Sequence, residues 1–319
     1  MNGYELTWGV PVILYLFLAG VGAGALTASA SMFLRGGPTG RYFNIARYGA
    51  FLAAPLVIIG TGMLVFELGS FQAGHWFKFL NLFKVINLSP MSIGTWLLVW
   101  FILISIPYAY TFLPKNAAPG DTFDVMRRLL AWISVPLGIA VAVYTGVLLG
   151  AMPSRPFWNS PILAMLFLLS ALSTGVAVLL LINTIMNRNN PDPGSKMDAE
   201  HANYLLAESD TLLIGLEILV IFLFLMYAHL SVGSQREAIK VIEWGGELSL
   251  MFWFWVVFIG LLIPVTVELF HTIPKIVSHK EVVLHPVMIY VIPVLVLFGG
   301  YMLRHVIVVG GQITGPLGL

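Results

Sequence analysis

Eight stretches of about 20 mostly apolar residues, separated by short polar, proline-rich or charged connectors, dominate the chain. A run of that length crosses the hydrocarbon of a bilayer as a helix. Lipid offers no partner to backbone N–H and C=O groups, so a spanning segment must satisfy them internally. The predicted fold class is therefore an all-α polytopic membrane protein with eight transmembrane helices, at roughly 10–34, 48–68, 92–113, 129–150, 160–186, 209–231, 248–270 and 284–309. With 59% hydrophobic and 10% charged residues, the composition excludes a soluble domain of this size. No connector is long enough for a soluble domain, so residues 1–319 read as a single integral membrane domain. The 187–207 connector, beginning Asn187-Arg188-Asn189-Asn190-Pro191-Asp192-Pro193-Gly194, reads as the most loop-like.

Lys and Arg in short loops set orientation. The connectors after spans one, three, five and seven hold ten cations: Arg35, Arg41, Arg47, Lys115, Arg127, Arg128, Arg188, Lys196, Lys275 and Lys280. The opposite side holds five, namely Lys78, Lys84, Arg155, Arg236 and Lys240. This bias predicts both termini outside, in the periplasm of a Gram-negative cell. The start has no basic n-region and no small-residue cleavage site, so the first apolar run is expected to stay as a span. Residues 69–92, with His75-Trp76-Phe77-Lys78 and Lys84, suit an outer interfacial helix or loop, serving as an aromatic belt anchor or a docking surface.

Spans one and five share a pattern. Pro11 leads to Phe17-Leu18, Gly20, Gly22 and Gly24; Pro161 leads to Phe167-Leu168, Ser170, Ser173, Thr174 and Gly175. The pattern is consistent with two halves, 1–150 and 151–319, as two four-helix bundles. Small residues also serve close helix packing in general.

The chain has no cysteine, so it holds no thiolate-ligated iron–sulfur cluster and no covalently attached haem. His229 and His305 are the one pair at matching depth for a buried haem. With the directions above, Tyr15, Glu67, Tyr144 and Arg304, with Thr145 and His305 beside them, fall in the outer half of four spans. Phenol and guanidinium groups can donate to the carbonyl oxygens of a quinone, and a carboxylate can exchange the accompanying proton. The plainer reading makes the tyrosines belt residues and Glu67 the partner of Arg304. Toward the inside, Asp210 and Glu217 stand seven residues apart and so share one helix face. Intramembrane carboxylates in series are what a proton pathway requires. Asn183, Glu268 and His271 also lie inward, where broken backbone near Pro264 and Pro274 or helix ends can employ them.

Four segments carry a more specific signal. Tyr15-Leu16-Phe17-Leu18-Ala19-Gly20-Val21-Gly22-Ala23-Gly24 resembles the first-span signature of the NrfD/PsrC family of polysulfide-reductase-type membrane subunits. Tyr144-Thr145-Gly146 with Pro156-Phe157-Trp158, Asp210 with Glu217, and Met302-Leu303-Arg304 with Gly311-Gln312 follow in the family's order. The resemblance implies a quinone-interacting integral membrane subunit of an anaerobic respiratory complex in the bacterial cytoplasmic (inner) membrane. Menaquinone or ubiquinone would exchange at a site formed by Tyr15 and Tyr144, with no haem or iron–sulfur cluster in this chain. Electrons would pass to or from a periplasmic four-cluster, ferredoxin-like iron–sulfur subunit working with a molybdopterin catalytic subunit or a multihaem cytochrome. One polysulfide-reductase type has histidine at the first-span position and asparagine one turn earlier; here Tyr15 and Val12 stand there, and Glu67 is the candidate proton donor. The rival from another class is a proton-coupled secondary transporter, which expects an interrupted helix at the midplane.

Overall fold

The computed structural model describes residues 8–37, 40–67, 89–113, 122–188, 192–231, 233–278 and 285–315. Eight helices are long and apolar enough to cross a membrane, and no strand occurs among the described residues. The outer segment at 69–92 lies outside them except for its last residues.

Helix α1 (Val10–Gly36) starts with Pro11 in its first turn, where a missing N–H costs nothing. It stops at Gly37, whose φ of 70° suits glycine and whose N–H reaches the Phe33 carbonyl at 2.8 Å. Then come α2 (Phe43–Glu67), α3 (Pro90–Thr111), α4 (Thr122–Gly150), α5 (Ile162–Asn187), α6 (Pro193–Leu230) and the short α7 (Ser234–Ile239). Helix α8 runs in π form over Met251–Leu262 and as α-helix over Ile263–Ser278. Helix α9 begins with a π turn at Val287–Val291 and continues over Ile292–Ile313. The π segments have no hydropathy signature and were not foreseen.

The 187–207 connector is mostly helix rather than loop. Asp192 caps α6, accepting from the Gly194 and Ser195 amides, with Pro193 at the first helical position. The Ser195 hydroxyl, donating at 2.7 Å, and then the two amides hold the Asp192 carboxyl below its ordinary pKa. Buried Ala202, Leu206 and Ala207 then pack this polar stretch against α5. Asn183 of α5 donates to Asn203 of α6 at 2.8 Å, and Asn203 donates to Thr184 at 3.1 Å. At 38 residues α6 is about 57 Å long, more than a bilayer's thickness, so its polar first turns project beyond the bilayer.

Contacts run in one circuit through α1, α2, α3 and α4, and in another through α5, α6, α8 and α9. The circuits meet where α1 crosses α5. A Cβ on Gly24 would overlap the Ala171 carbonyl, and one on Gly175 would overlap Gly24 itself. The small residues read as a shared pattern in spans one and five thus form the crossing. Gly260 and Gly299 give α8 and α9 a similar close approach. Helix α1 is consequently the most buried of the eight spans, whereas α3, α6 and α8 turn Trp100, Phe222 and Phe258 outward, as lipid permits.

Arg127, counted as a loop cation from the sequence, lies inside α4 and is fully buried. Its guanidinium sits 5.0–5.7 Å from the rings of Phe33, Phe43 and Phe112 and donates to Asp124 and to the Thr111 carbonyl. Cation–π contact and charged hydrogen bonds together offset desolvation there.

Candidate functional site

Two tyrosines meet in the first circuit. Tyr15 is five residues from the N-terminal end of α1, and Tyr144 is six residues from the C-terminal end of α4, at the same end of the bundle. Tyr15 is fully buried and Tyr144 nearly so, and their phenols approach each other. The Tyr15 hydroxyl has no partner in hydrogen-bonding geometry. Gly94 of α3 makes the space: a Cβ there would overlap the Tyr144 ring and hydroxyl. Nothing in the sequence around Gly94 announces this role, because its reason lies on another helix. Thr145 turns its hydroxyl back to the Ala142 carbonyl at 2.7 Å, so it lines the region through packing. Glu67 is the last residue of α2, and its side chain lies outside the described portion. Gly60 of α2 faces the Tyr15 carbonyl, so the Glu67 backbone stands two turns, about 10 Å, outward of that level.

Arg304 does not join the phenols. It is fully buried on α9, donating through Nη1 to Ser170 Oγ at 2.9 Å and to the Gly300 carbonyl at 2.7 Å. Its guanidinium lies 5.7 Å from the Phe17 ring and 5.5 Å from the Phe167 ring. A Cβ on Gly20 would come within 2.8 Å of Nη2. The Nε and Nη2 donors have no hydrogen-bond partner. Tyr15 and Gly20 are five residues apart, about 140° around α1. The phenols and the guanidinium therefore occupy nearly opposite faces of one helix, with Arg304 deeper. His305, the next residue on α9, is half-buried beside Tyr301.

The partner of Arg304 is the carboxylate side. Glu217 of α6 is buried against Ser170 and Arg304. Asp210, seven residues earlier on the same face, accepts from Ser173 Oγ at 2.7 Å and lies in electrostatic reach of Glu217. Glu268 of α8 is also buried. It accepts from Thr211 at 3.0 Å and lies in reach of Asp210. Ser170 and Ser173, one turn apart on α5, thus serve the two carboxylates of α6, and sequence reasoning missed both. The available signal was two small hydroxyl residues on α5 following Phe167, on the helix that precedes the carboxylates of α6. Glu268 is no helix cap: it belongs with Asp210.

An aromatic and amide cluster closes the end of the bundle where α1 begins and α9 finishes. Trp8 stacks on Trp158 with centroids 5.2 Å apart, and Trp158 donates to the Ile307 carbonyl at 2.6 Å. Gln312 exchanges bonds with the Trp8 backbone at 2.9 and 3.0 Å, while Arg155 donates to the Gln312 carbonyl at 3.0 Å. A Cβ on Gly311 would overlap the Trp158 indole, which explains Gly311-Gln312 next to the Pro156-Phe157-Trp158 segment. Among the described residues no group of three His, Asp or Glu is arranged to hold a metal ion.

The whole chain, residues 1–316, matches the family described as Polysulphide reductase, NrfD. The chain belongs to that family. It is 29% identical over 287 residues to the polysulfide reductase C subunit of Wolinella succinogenes, covering 86% of each protein. It is 27% identical to protein NrfD of Escherichia coli over 281 residues, 83% of this sequence and 85% of that one. A protein NrfD homolog of Haemophilus influenzae is 26% identical over 326 residues, 97% of this sequence and 96% of its own. Eight apolar helices and membership of this family make the chain a multi-pass membrane protein.

Proposed function

We propose that this chain is the quinone- and quinol-reactive membrane subunit of a respiratory oxidoreductase complex, with its headgroup site at Tyr15 and Tyr144. The observation that carries the reading is a buried phenol, Tyr15, whose hydroxyl has no partner in hydrogen-bonding geometry, beside the Tyr144 phenol that fills the space Gly94 leaves. An unsatisfied buried hydroxyl costs about 1–3 kcal/mol, so the position calls for an acceptor. Quinone carbonyl oxygens are acceptors of that kind, and the residues present fit them.

A bound quinone supplies two-electron, two-proton chemistry. Tyr15 and Tyr144 hold the ring by donating to its oxygens, Gly94 keeps the Tyr144 ring in line, and the Trp8–Trp158 stack covers the outer end against water. Glu67, outward of the phenols, is the candidate for exchanging protons with the exterior. Asp210, Glu217 and Arg304 form a candidate proton pathway toward the interior, with Ser170 bridging arginine and carboxylate. Arg304 then acts on the site across α1 rather than by touching the headgroup, and His305 and Thr145 support the walls. The charge bias of the loops supports both termini outside, and the relatives named as reductase subunits support an outer iron–sulfur subunit with a molybdopterin or multihaem partner. Menaquinone and ubiquinone both suit two phenol donors. The transporter alternative expects an unwound half-helix at the midplane, and among the described residues every span is continuous helix.

The test is electron flux from a short-chain quinol through the purified complex. Tyr144→Phe removes one donor worth about 0.5–1.5 kcal/mol, a loss of roughly 2–12-fold in kcat/KM. Unchanged kcat/KM in both Tyr144→Phe and Tyr15→Phe would rule out the phenol site.

A further inference from the structure

Between α1, α6 and α8 a crevice opens on the side bearing Arg35, lined by Arg35, Ser209, Thr211, Leu212, Val265 and Leu269. A second crevice between α1, α5 and α6 shares Arg35 and Ser209 with it and reaches Thr27 and Leu172. The loop charges assign this side to the interior. Glu208 stands exposed at the rim. Thr211 is a wall residue whose hydroxyl binds Glu268 directly behind it at 3.0 Å. Thr211 lies 19 residues, about 29 Å, inward of the outer end of α6, close to the inner edge of a bilayer's hydrocarbon.

We propose that this crevice is the inner mouth of the carboxylate series and that Glu268 is its first buried proton carrier. The inference rests on the function proposed above and extends it. Glu268 is nearly fully buried, and Thr211, a residue of the crevice wall, binds it. Asp210 lies within its electrostatic reach, and Glu217 within that of Asp210. An independent observation marks the far end of the series. Arg304 faces Glu217 with Nε and Nη2 buried and unpartnered, two donors left for a carboxylate or water that changes place as protons move. A proton from crevice water protonates the Glu268 carboxylate. It then passes to Asp210 and on to Glu217, each donor returning to its ionised form as the next accepts. No electron moves in any of these steps, and the reverse sequence delivers protons inward. Thr211 positions Glu268 for the transfer.

The test uses the whole complex in proteoliposomes with an impermeant electron acceptor. The readout is charge moved per electron, normalised to each variant's own electron flux. Glu268→Gln is expected to lower that ratio at least tenfold and Glu268→Asp to restore at least half of it; a wild-type ratio in Glu268→Gln overturns the assignment. Because the chain has no native cysteine, Leu212→Cys and Ser209→Cys give this subunit single thiols. A membrane-impermeant maleimide is expected to label them from the inner side only, and failure to label from that side overturns the crevice as a water path. Absence of quinol-dependent flux in the wild type would instead defeat the quinone reading, with the labelling result still deciding the crevice.

Discussion

Replacing Gly94 by alanine puts a methyl group where the Tyr144 phenol lies. Carbon atoms rest about 3.5–4.0 Å apart, so the ring must withdraw by roughly 2 Å or α3 must shift. Overpacking of this kind costs about 1–3 kcal/mol in stability. Its effect on turnover is expected to be larger than the stability loss alone implies. A hydroxyl bond of about 2.5–3.0 Å does not survive a displacement of about 2 Å, which removes about 0.5–1.5 kcal/mol of headgroup binding. Misplacement of a bound reactant by about 1 Å can itself cost roughly 100-fold. Gly94→Ala should therefore lower kcat/KM for quinol by about 10–100-fold, more than Tyr144→Phe, in complex that is still assembled. Stopped-flow reduction of the partner's metal centres by quinol, beside a thermal denaturation curve, separates the two effects. A Gly94→Ala variant within twofold of wild type in kcat/KM would show that the Tyr144 phenol does not hold the headgroup.

Arg304→Met leaves Glu217 buried without its cation and should destabilise the subunit by about 3–5 kcal/mol, whereas adding Glu217→Gln should recover most of that; thermal melts of single and double variants check the coupling. Asn183→Ala breaks the amide network joining α5 to the inner extension of α6. It should cost about 1–3 kcal/mol and raise hydrogen exchange in the first turns of α6 while leaving quinol turnover within about twofold.

Much of the fold was legible because lipid imposes a length and a composition on each span. All eight apolar runs became helices, and the small residues shared by spans one and five became the crossing of α1 and α5. The extension of α6 was not legible: Pro193–Glu208 is polar enough to read as loop, and its burial depends on Asn183 and Asn203 meeting across two helices. The π segments of α8 and α9 follow from packing that no local pattern records. At the candidate site, the sequence placed Tyr15 and Tyr144 at one depth, and the structure brings their phenols near each other. The position of Arg304 was misjudged because depth along a helix says nothing about which face a side chain takes. Tyr15 and Gly20 share α1 and look nearly opposite ways. The neighbourhood of Glu268 was not legible for a similar reason, since its bond to Thr211 and its nearness to Asp210 involve a different helix.

Helix α1 separates the phenol recess from Arg304, and Glu217 stands beyond Arg304. Two unit charges about 15 Å apart interact by roughly 1.1 kcal/mol at an effective dielectric of about 20. Gaining or losing a proton at Glu217 is therefore felt behind the helix as a severalfold bias on any charge forming at Tyr15. Events on one face can time those on the other through the field alone, with no atom passing between them.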